Sequence, residues 1–203
     1  MITAPNLEEF DWLVHGFGLR DAAPPAGITT ARQIHSAIVL DAAGRRGEII
    51  GEGDALISNR PGVIVGVKTA DCVPILLVEP SMHVVASIHA GWRGTAQNIV
   101  AATIRCLSDL WKTDPGNIRA AIGPSIGECC YEVGAEVAGR FGIDATGPVH
   151  LDLRAINEVQ LRAEGVSDIW KSGDCTFCHA DRFYSYRRER EQAGRMVSIV
   201  GQR

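Results

Sequence analysis

The stretch from Ser36 to Trp111 constrains the fold of this chain more than any other part of it. Within it the runs Ser36 to Leu40, Val63 to Lys68, Val73 to Val78 and His83 to His89 are short, rich in Val, Ile and Leu, and bounded by Gly, Pro or Asp. Those are the marks of buried strands, and the four runs predict one sheet. From Thr95 to Trp111 the residues Ala96, Ile99, Val100, Thr103, Ile104, Leu107 and Leu110 recur at helical spacing and stop before Asp114-Pro115-Gly116, which predicts a helix. Further along, Ile118 to Ile122 reads as a strand, Cys130 to Arg140 and Leu153 to Ala163 as helices, and Met196 to Val200 as a last strand. Strands alternating with helices imply an α/β domain. No repeat, low-complexity tract or linker interrupts the 203 residues, so residues 1–203 are expected to form a single domain, with Ala22-Ala23-Pro24-Pro25-Ala26-Gly27 as an irregular loop.

Charge and composition exclude several classes. The formal net charge is -4, and the longest basic run is the short Arg187-Arg188-Glu189-Arg190, so the electrostatic footprint of a nucleic-acid binder is missing. Met1 to Phe10 has no apolar h-region, and no stretch holds 18 uninterrupted apolar residues, which predicts a cytoplasmic protein without a membrane partner. In that setting the six cysteines stay reduced and suit metal binding or catalysis better than a disulfide framework, the alternative being small buried hydrophobes.

Two segments carry candidate chemistry. Thr69-Ala70-Asp71-Cys72-Val73-Pro74 lies between two strand-like runs, and His89-Ala90-Gly91-Trp92-Arg93-Gly94-Thr95 lies where a strand meets the helix. Adjacent strands would let the Cys72 thiol and the His89 imidazole face one cleft. One thiolate with imidazoles suits zinc, and His35 would complete three protein ligands with a fourth position open. The competing reading is core packing with hydrogen-bonded histidines, and spacing alone leaves both open. Gly91 and Gly94 free the backbone, and Arg93 near a helix start with Gly94 and Thr95 makes an anion pocket, against a tight turn whose arginine pairs with a surface carboxylate. Neither a Walker loop nor a complete dinucleotide loop is present, since His15-Gly16-Phe17-Gly18-Leu19-Arg20 lacks the third glycine. Cys175-Thr176-Phe177-Cys178-His179 matches the c-type haem attachment pattern, but haem attachment needs export. A second zinc site there lacks an obvious partner pair, so free structural thiols are the expectation.

Six segments together carry a resemblance: Arg32-Gln33-Ile34-His35, Gly53-Asp54-Ala55-Leu56, Thr69-Ala70-Asp71-Cys72-Val73-Pro74, His89-Ala90-Gly91-Trp92-Arg93-Gly94, Ala121-Ile122-Gly123-Pro124 and Phe183-Tyr184-Ser185-Tyr186-Arg187-Arg188. The chain resembles the YfiH-type family, also called the laccase-domain or polyphenol oxidase family and described as purine nucleoside phosphorylases. The likeness covers about residues 28–200. It implies a single domain of α/β/β/α layers with mixed sheets, and a His, Cys, His metal site on His35, Cys72 and His89. It also implies phosphorolysis of adenosine, inosine and methylthioadenosine, with adenosine deamination as a second activity and zinc, or else copper, as the ion. The chain departs from the family after Arg20, where a short Ala/Pro loop replaces a longer Gly-rich turn, and Ala193-Gly194-Arg195 stands in place of Thr-Gly-Arg.

The mechanism expected from these residues has zinc activating water or polarising a bound substrate. Phosphate docks on Arg93, Gly94 and Thr95, Gln33 lines the substrate pocket, and Asp71 accepts a proton. The rivals are a cysteine hydrolase with Cys72 as nucleophile and His89 as base, a peptidoglycan-precursor editing hydrolase, a copper-dependent polyphenol oxidase, and a non-enzymatic metal-binding module based on Cys129-Cys130 and Cys175 to His179.

Overall fold

The computed structural model describes residues 1–203. Its elements run β1 (Leu13–Gly16), β2 (Ile28–Arg32), β3 (Val39–Asp41), β4 (Ile49–Glu52), β5 (Ala55–Ser58), β6 (Ile64–Thr69), β7 (Val73–Glu79) and β8 (Val84–Ala90), then α1 (Trp92–Ala96) and α2 (Ile99–Trp111). They continue with β9 (Arg119–Ile122), β10 (Glu132–Val133), α3 (Ala135–Gly139), β11 (Val149–His150), α4 (Leu153–Ala163), β12 (Asp168–Lys171), α5 (Tyr186–Glu189) and β13 (Met196–Gln202). One sheet has the order β12-β9-β7-β8-β5-β3, a second β1-β13-β6-β2-β4, and β10 pairs with β11 in a small ribbon. Both large sheets mix parallel and antiparallel pairs. This is the α/β class that the strand and helix pattern predicts, with the layers and mixed sheets that the family resemblance implies.

Side-chain alternation explains the layering. Along β7, Val73, Ile75 and Leu77 join a core with α2 residues Ile99, Val100, Ile104 and Leu107, while Leu76 and Val78 face Val65, Val67 and Val200 of the second sheet. Strands buried on both faces read as continuous apolar runs, which is why β7 and β8 stand out in the sequence. Each fully buried Ile or Leu contributes about 1.5–3 kcal/mol, so both faces of these strands must be covered. The four apolar runs therefore do not make one sheet as expected. Three of them supply β3, β7 and β8, whereas β6 belongs to the second sheet, which covers the face opposite the helices.

Two expected helices also change. The helix expected over Thr95 to Trp111 is divided: α1 begins earlier, and Asn98 turns the chain with φ 57° and ψ 47°, a left-handed conformation that asparagine tolerates, before α2. The helix expected over Cys130 to Arg140 is mostly absent. Glu132 and Val133 pair with His150 and Val149, and only one short helix follows Gly134, because glycines at 134 and 139 and a paired valine disfavour a longer one. The expected helix over Leu153 to Ala163 is α4, started by the Asp152 carboxylate, which accepts from the N–H groups of Arg154 and Ala155. No helix is long and apolar enough to cross a membrane.

Candidate metal centre

Strand register brings the first two residues together. In β7 and β8, Pro74 lies opposite His89 and Val73 opposite Ala90. Cys72 shares the parity of Leu76 and Val78, and His89 shares that of Val85, so both side chains leave the sheet on the face toward the second sheet. His35 arrives from the turn between β2 and β3. The ligand atoms of His35, Cys72 and His89 all lie within 4.8 Å of one another, and the two imidazoles meet edge to face at 4.9 Å.

Asp54 organises this cluster, a role no single motif in the sequence disclosed. Its fully buried carboxylate lies 2.8 Å from His89 Nδ1. It also accepts from three successive backbone N–H groups, Ile34 at 3.2 Å, His35 at 3.0 Å and Ser36 at 2.6 Å, and from the Ser36 hydroxyl at 2.7 Å. Such a nest of amides around a carboxylate fixes the turn that presents His35, whose φ of 59° is unusual for a non-glycine residue. Burial opposes charge on Asp54, but the His89 ring and the Ser36 donors outweigh it and hold its carboxyl well below the usual range. A carboxylate in that state only accepts, so His89 carries its proton on Nδ1 and turns Nε2 toward the cluster.

The electrostatics of the trio are mutual. Burial would raise the Cys72 thiol, but the His89 imidazole, with help from His35, brings it down to about 6. Burial would likewise lower His89, yet the Cys72 thiolate and Asp54 raise it to about 9. Without a metal, the pair is a thiolate facing an imidazolium.

The donor set fits a metal. One sulfur and two ring nitrogens, already oriented by a carboxylate, match a catalytic zinc site that keeps one position open. Gly91 makes room for it: a Cβ there would lie 3.0 Å from Cys72 Sγ and 3.1 Å from His35 Cδ2. The trio forms part of the wall of a cavity of about 700 Å³.

The remaining predicted site residues divide. Arg93 lines the cavity and stacks on Trp92 at 4.3 Å. Gly94 and Thr95 do not reach it: both are buried, and the Thr95 hydroxyl accepts from Asn157 Nδ2 at 3.0 Å. With five residues, α1 is too short to build a helix-end anion site, so the guanidinium is what remains of that expectation. Gln33 lines the cavity, but its amide is committed at 2.8 Å to both the carbonyl and the N–H of Lys68. Asp71 also reaches the wall, with its carboxylate taken up by the Thr176 hydroxyl at 2.6 Å, the Ser185 hydroxyl at 3.0 Å and the Arg187 N–H at 2.7 Å.

What sequence reasoning missed is the cationic wall. Lys68, Arg93, Arg187, Arg190 and Arg195 all line the cavity, and none of the five pairs with a carboxylate. In a chain of net charge -4 this is a concentrated positive field. Its sequence signals were Arg93, already read as an anion-binding residue, and the short basic run ending at Arg190. Tyr131 completes the wall, its phenol pushed up to about 12, chiefly by burial.

Residues 17–203 match the family model described as multi-copper polyphenol oxidoreductase laccase. The chain is 42% identical over 158 residues to a purine nucleoside phosphorylase of Deinococcus radiodurans, a match covering 74% of this chain and 61% of that protein. It is 41% identical over 161 residues to adenosine deaminase RL5 of an unknown prokaryotic organism, covering 72% of this chain and 61% of that one. The chain thus spans less than two thirds of the length of either relative. The crystal structure of YlmD from Geobacillus stearothermophilus superposes with a TM-score of 0.88 at 28% identity, covering 96% of this chain and 93% of that one.

Proposed function

This chain belongs to the multi-copper polyphenol oxidoreductase laccase family, and from that premise we propose that it is a zinc-dependent purine nucleoside phosphorylase acting on adenosine, inosine and methylthioadenosine. The observation that carries the reading is that five cations line the same cavity as the His35, Cys72 and His89 cluster. A phosphate dianion and a neutral nucleoside are what such a cavity suits: five cations for the anion, and the Trp92, Tyr131 and Tyr186 rings, the first two partnered by Arg93 and Arg187, as apolar surface for the nucleoside.

His35, Cys72 and His89 would hold the zinc. When bound, zinc supplies Lewis acidity at its open position. The chain's own residues do the rest. Lys68, Arg93, Arg190 and Arg195 bind and orient phosphate, whose oxygen forms a bond to ribose C1′ as the C1′–N9 bond breaks and its electron pair leaves with the base. The Tyr131 hydroxyl, protonated at neutral pH, donates a hydrogen bond to the departing purine. Asp71 anchors the Arg187 backbone and so the basic segment, and the one acceptor site left on its Oδ1 is where it would take a proton.

Zinc is preferred to copper because only two of the six histidines, His35 and His89, reach the cluster, whereas multicopper oxidation needs more imidazole ligands. Similarity to adenosine deaminase RL5 supports a second activity, deamination of adenosine, which ammonia release in the absence of phosphate would report.

The test separates phosphate from nucleoside. Arg93→Ala and Arg190→Ala each remove a charge-assisted contact of about 1.5–3 kcal/mol, so KM for phosphate should rise about tenfold or more. KM for inosine should change little. An unaltered KM for phosphate in both variants contradicts the assignment.

A further inference from the structure

We propose that Cys129, Cys130, Cys175 and Cys178 form a second metal site, a closed four-thiolate zinc site that ties together two loops behind the cavity wall. All four sulfur atoms lie within 4.8 Å of one another, with Cys130 and Cys178 at 3.4 Å and Cys129 and Cys178 at 3.8 Å. Zinc–sulfur bonds of about 2.3 Å in a tetrahedron place the sulfurs about 3.8 Å apart. Disulfide bonding would bring two of them to about 2.05 Å, and all four cysteines are free.

The backbone builds this convergence. β9 and β12 are adjacent parallel strands, Arg119 opposite Asp168 through Ile122 opposite Lys171, so the loops leaving their ends run side by side. Ser125 bridges Cys175 in parallel, and the Thr176 N–H donates to the Ser125 carbonyl at 3.0 Å. One loop then carries the adjacent pair Cys129-Cys130, and the other carries Cys175-Thr176-Phe177-Cys178, the two-residue spacing common in structural zinc sites. Cys129-Cys130, which the sequence offered only as part of a non-enzymatic metal-binding module, is thus the partner pair of Cys175 and Cys178.

The surroundings are those of a ligand site. The Gly127 N–H donates to Cys175 Sγ at 3.2 Å, as backbone amides do around metal-bound thiolates. A Cβ on Gly127 would lie 3.3 Å from Cys129 Sγ and 3.0 Å from Arg154 Nη2, so glycine lets the loop close over the sulfurs. Four thiolates on a divalent ion leave two negative charges, and arginines hold the same loop: Arg154 donates to the Ser172 carbonyl at 2.9 Å and Arg188 to the Phe177 carbonyl at 2.6 Å. Core packing does not explain the group, because Cys129 and Cys178 are exposed.

Four protein ligands leave no open position, so the site is structural. Its consequence reaches the cavity. Ile126 and Tyr131 of the first loop line the wall, and the Thr176 hydroxyl of the second donates to Asp71, which in turn holds Arg187.

Elemental analysis and native mass spectrometry of the intact protein test this. Cys72→Ala, which disables the first cluster, should retain one zinc per chain. Cys72→Ala/Cys178→Ser should hold none, and Cys72→Ala/Cys178→His, which restores a ligand, should regain it. Cobalt loaded into Cys72→Ala should show thiolate charge-transfer bands and tetrahedral ligand-field bands that Cys178→Ser removes. The proposal is overturned if folded Cys72→Ala carries no zinc, if zinc content is the same with and without Cys178, if iron takes the place of zinc, or if thiol counting on the denatured protein finds these cysteines disulfide-bonded. The Cys72→Ala measurement decides the matter even if the Cys178 variants do not fold.

Discussion

At the scale of single residues, Asp54 governs the site without being one of its proposed ligands. It holds the His89 ring and the backbone of the turn bearing His35 at once, so an amide in its place disturbs two of the three ligands. Asp54→Asn should lower zinc affinity about 10–100-fold, as measured by competition with a chromophoric chelator, with the fold intact by circular dichroism; wild-type affinity would contradict this role. The metal-free pair has its own signature. Cys72 is held at about 6, below the ordinary ~8.5 of a free thiol, so its stabilising contribution is lost as pH falls through about 6. His89 is held at about 9, above an ordinary ~6.5, so its contribution is lost as pH rises through about 9. The stability difference between metal-free wild type and Cys72→Ser should therefore be largest between these limits and shrink on both sides, as read from urea midpoints across pH. A flat difference would count against the ion pair. The three candidate ligands were legible because a thiol and two imidazoles at strand ends are informative by type alone. Asp54 was not, since a buried carboxylate declares its role only through a partner 35 positions away.

At the scale of elements, parity does the positioning. Cys72 and His89 share a face because they extend the alternation of β7 and β8, and that alternation is readable. What was not readable is which apolar runs pair, because burial on both faces looks the same in either sheet. The division of the helix at Asn98 was hidden for a related reason: apolar spacing continues through the turn while the backbone does not. The end of α2 gives a test of this local geometry. Lys112 caps it at φ 58° and ψ 32°, a left-handed conformation that costs a residue with a Cβ about 1–2 kcal/mol. Lys112→Gly should accordingly stabilise the protein by about 1 kcal/mol, raising Tm by about 2–4 °C in calorimetry. A lower Tm would mean that the Lys112 side chain contributes more than its strain costs.

At the scale of the molecule, two sheets packed face to face bring β7 and β8 from one against β6 and β13 from the other, and the cavity opens beside that junction. Its cations come from Lys68 on β6, Arg93 on α1 and the segment from Arg187 to Arg195, three regions that no local pattern could connect. The cavity joins a site fit for zinc to a wall fit for phosphate, and the central claim is that both act on one nucleoside. The direct measurement is chromatographic separation of free hypoxanthine and ribose 1-phosphate after inosine is incubated with zinc-loaded wild type and with Cys72→Ala, each with and without phosphate. The account predicts equal amounts of both products from wild type only when phosphate is present, and neither from Cys72→Ala. Release of hypoxanthine by Cys72→Ala at the wild-type rate, or release that ignores phosphate, would contradict it.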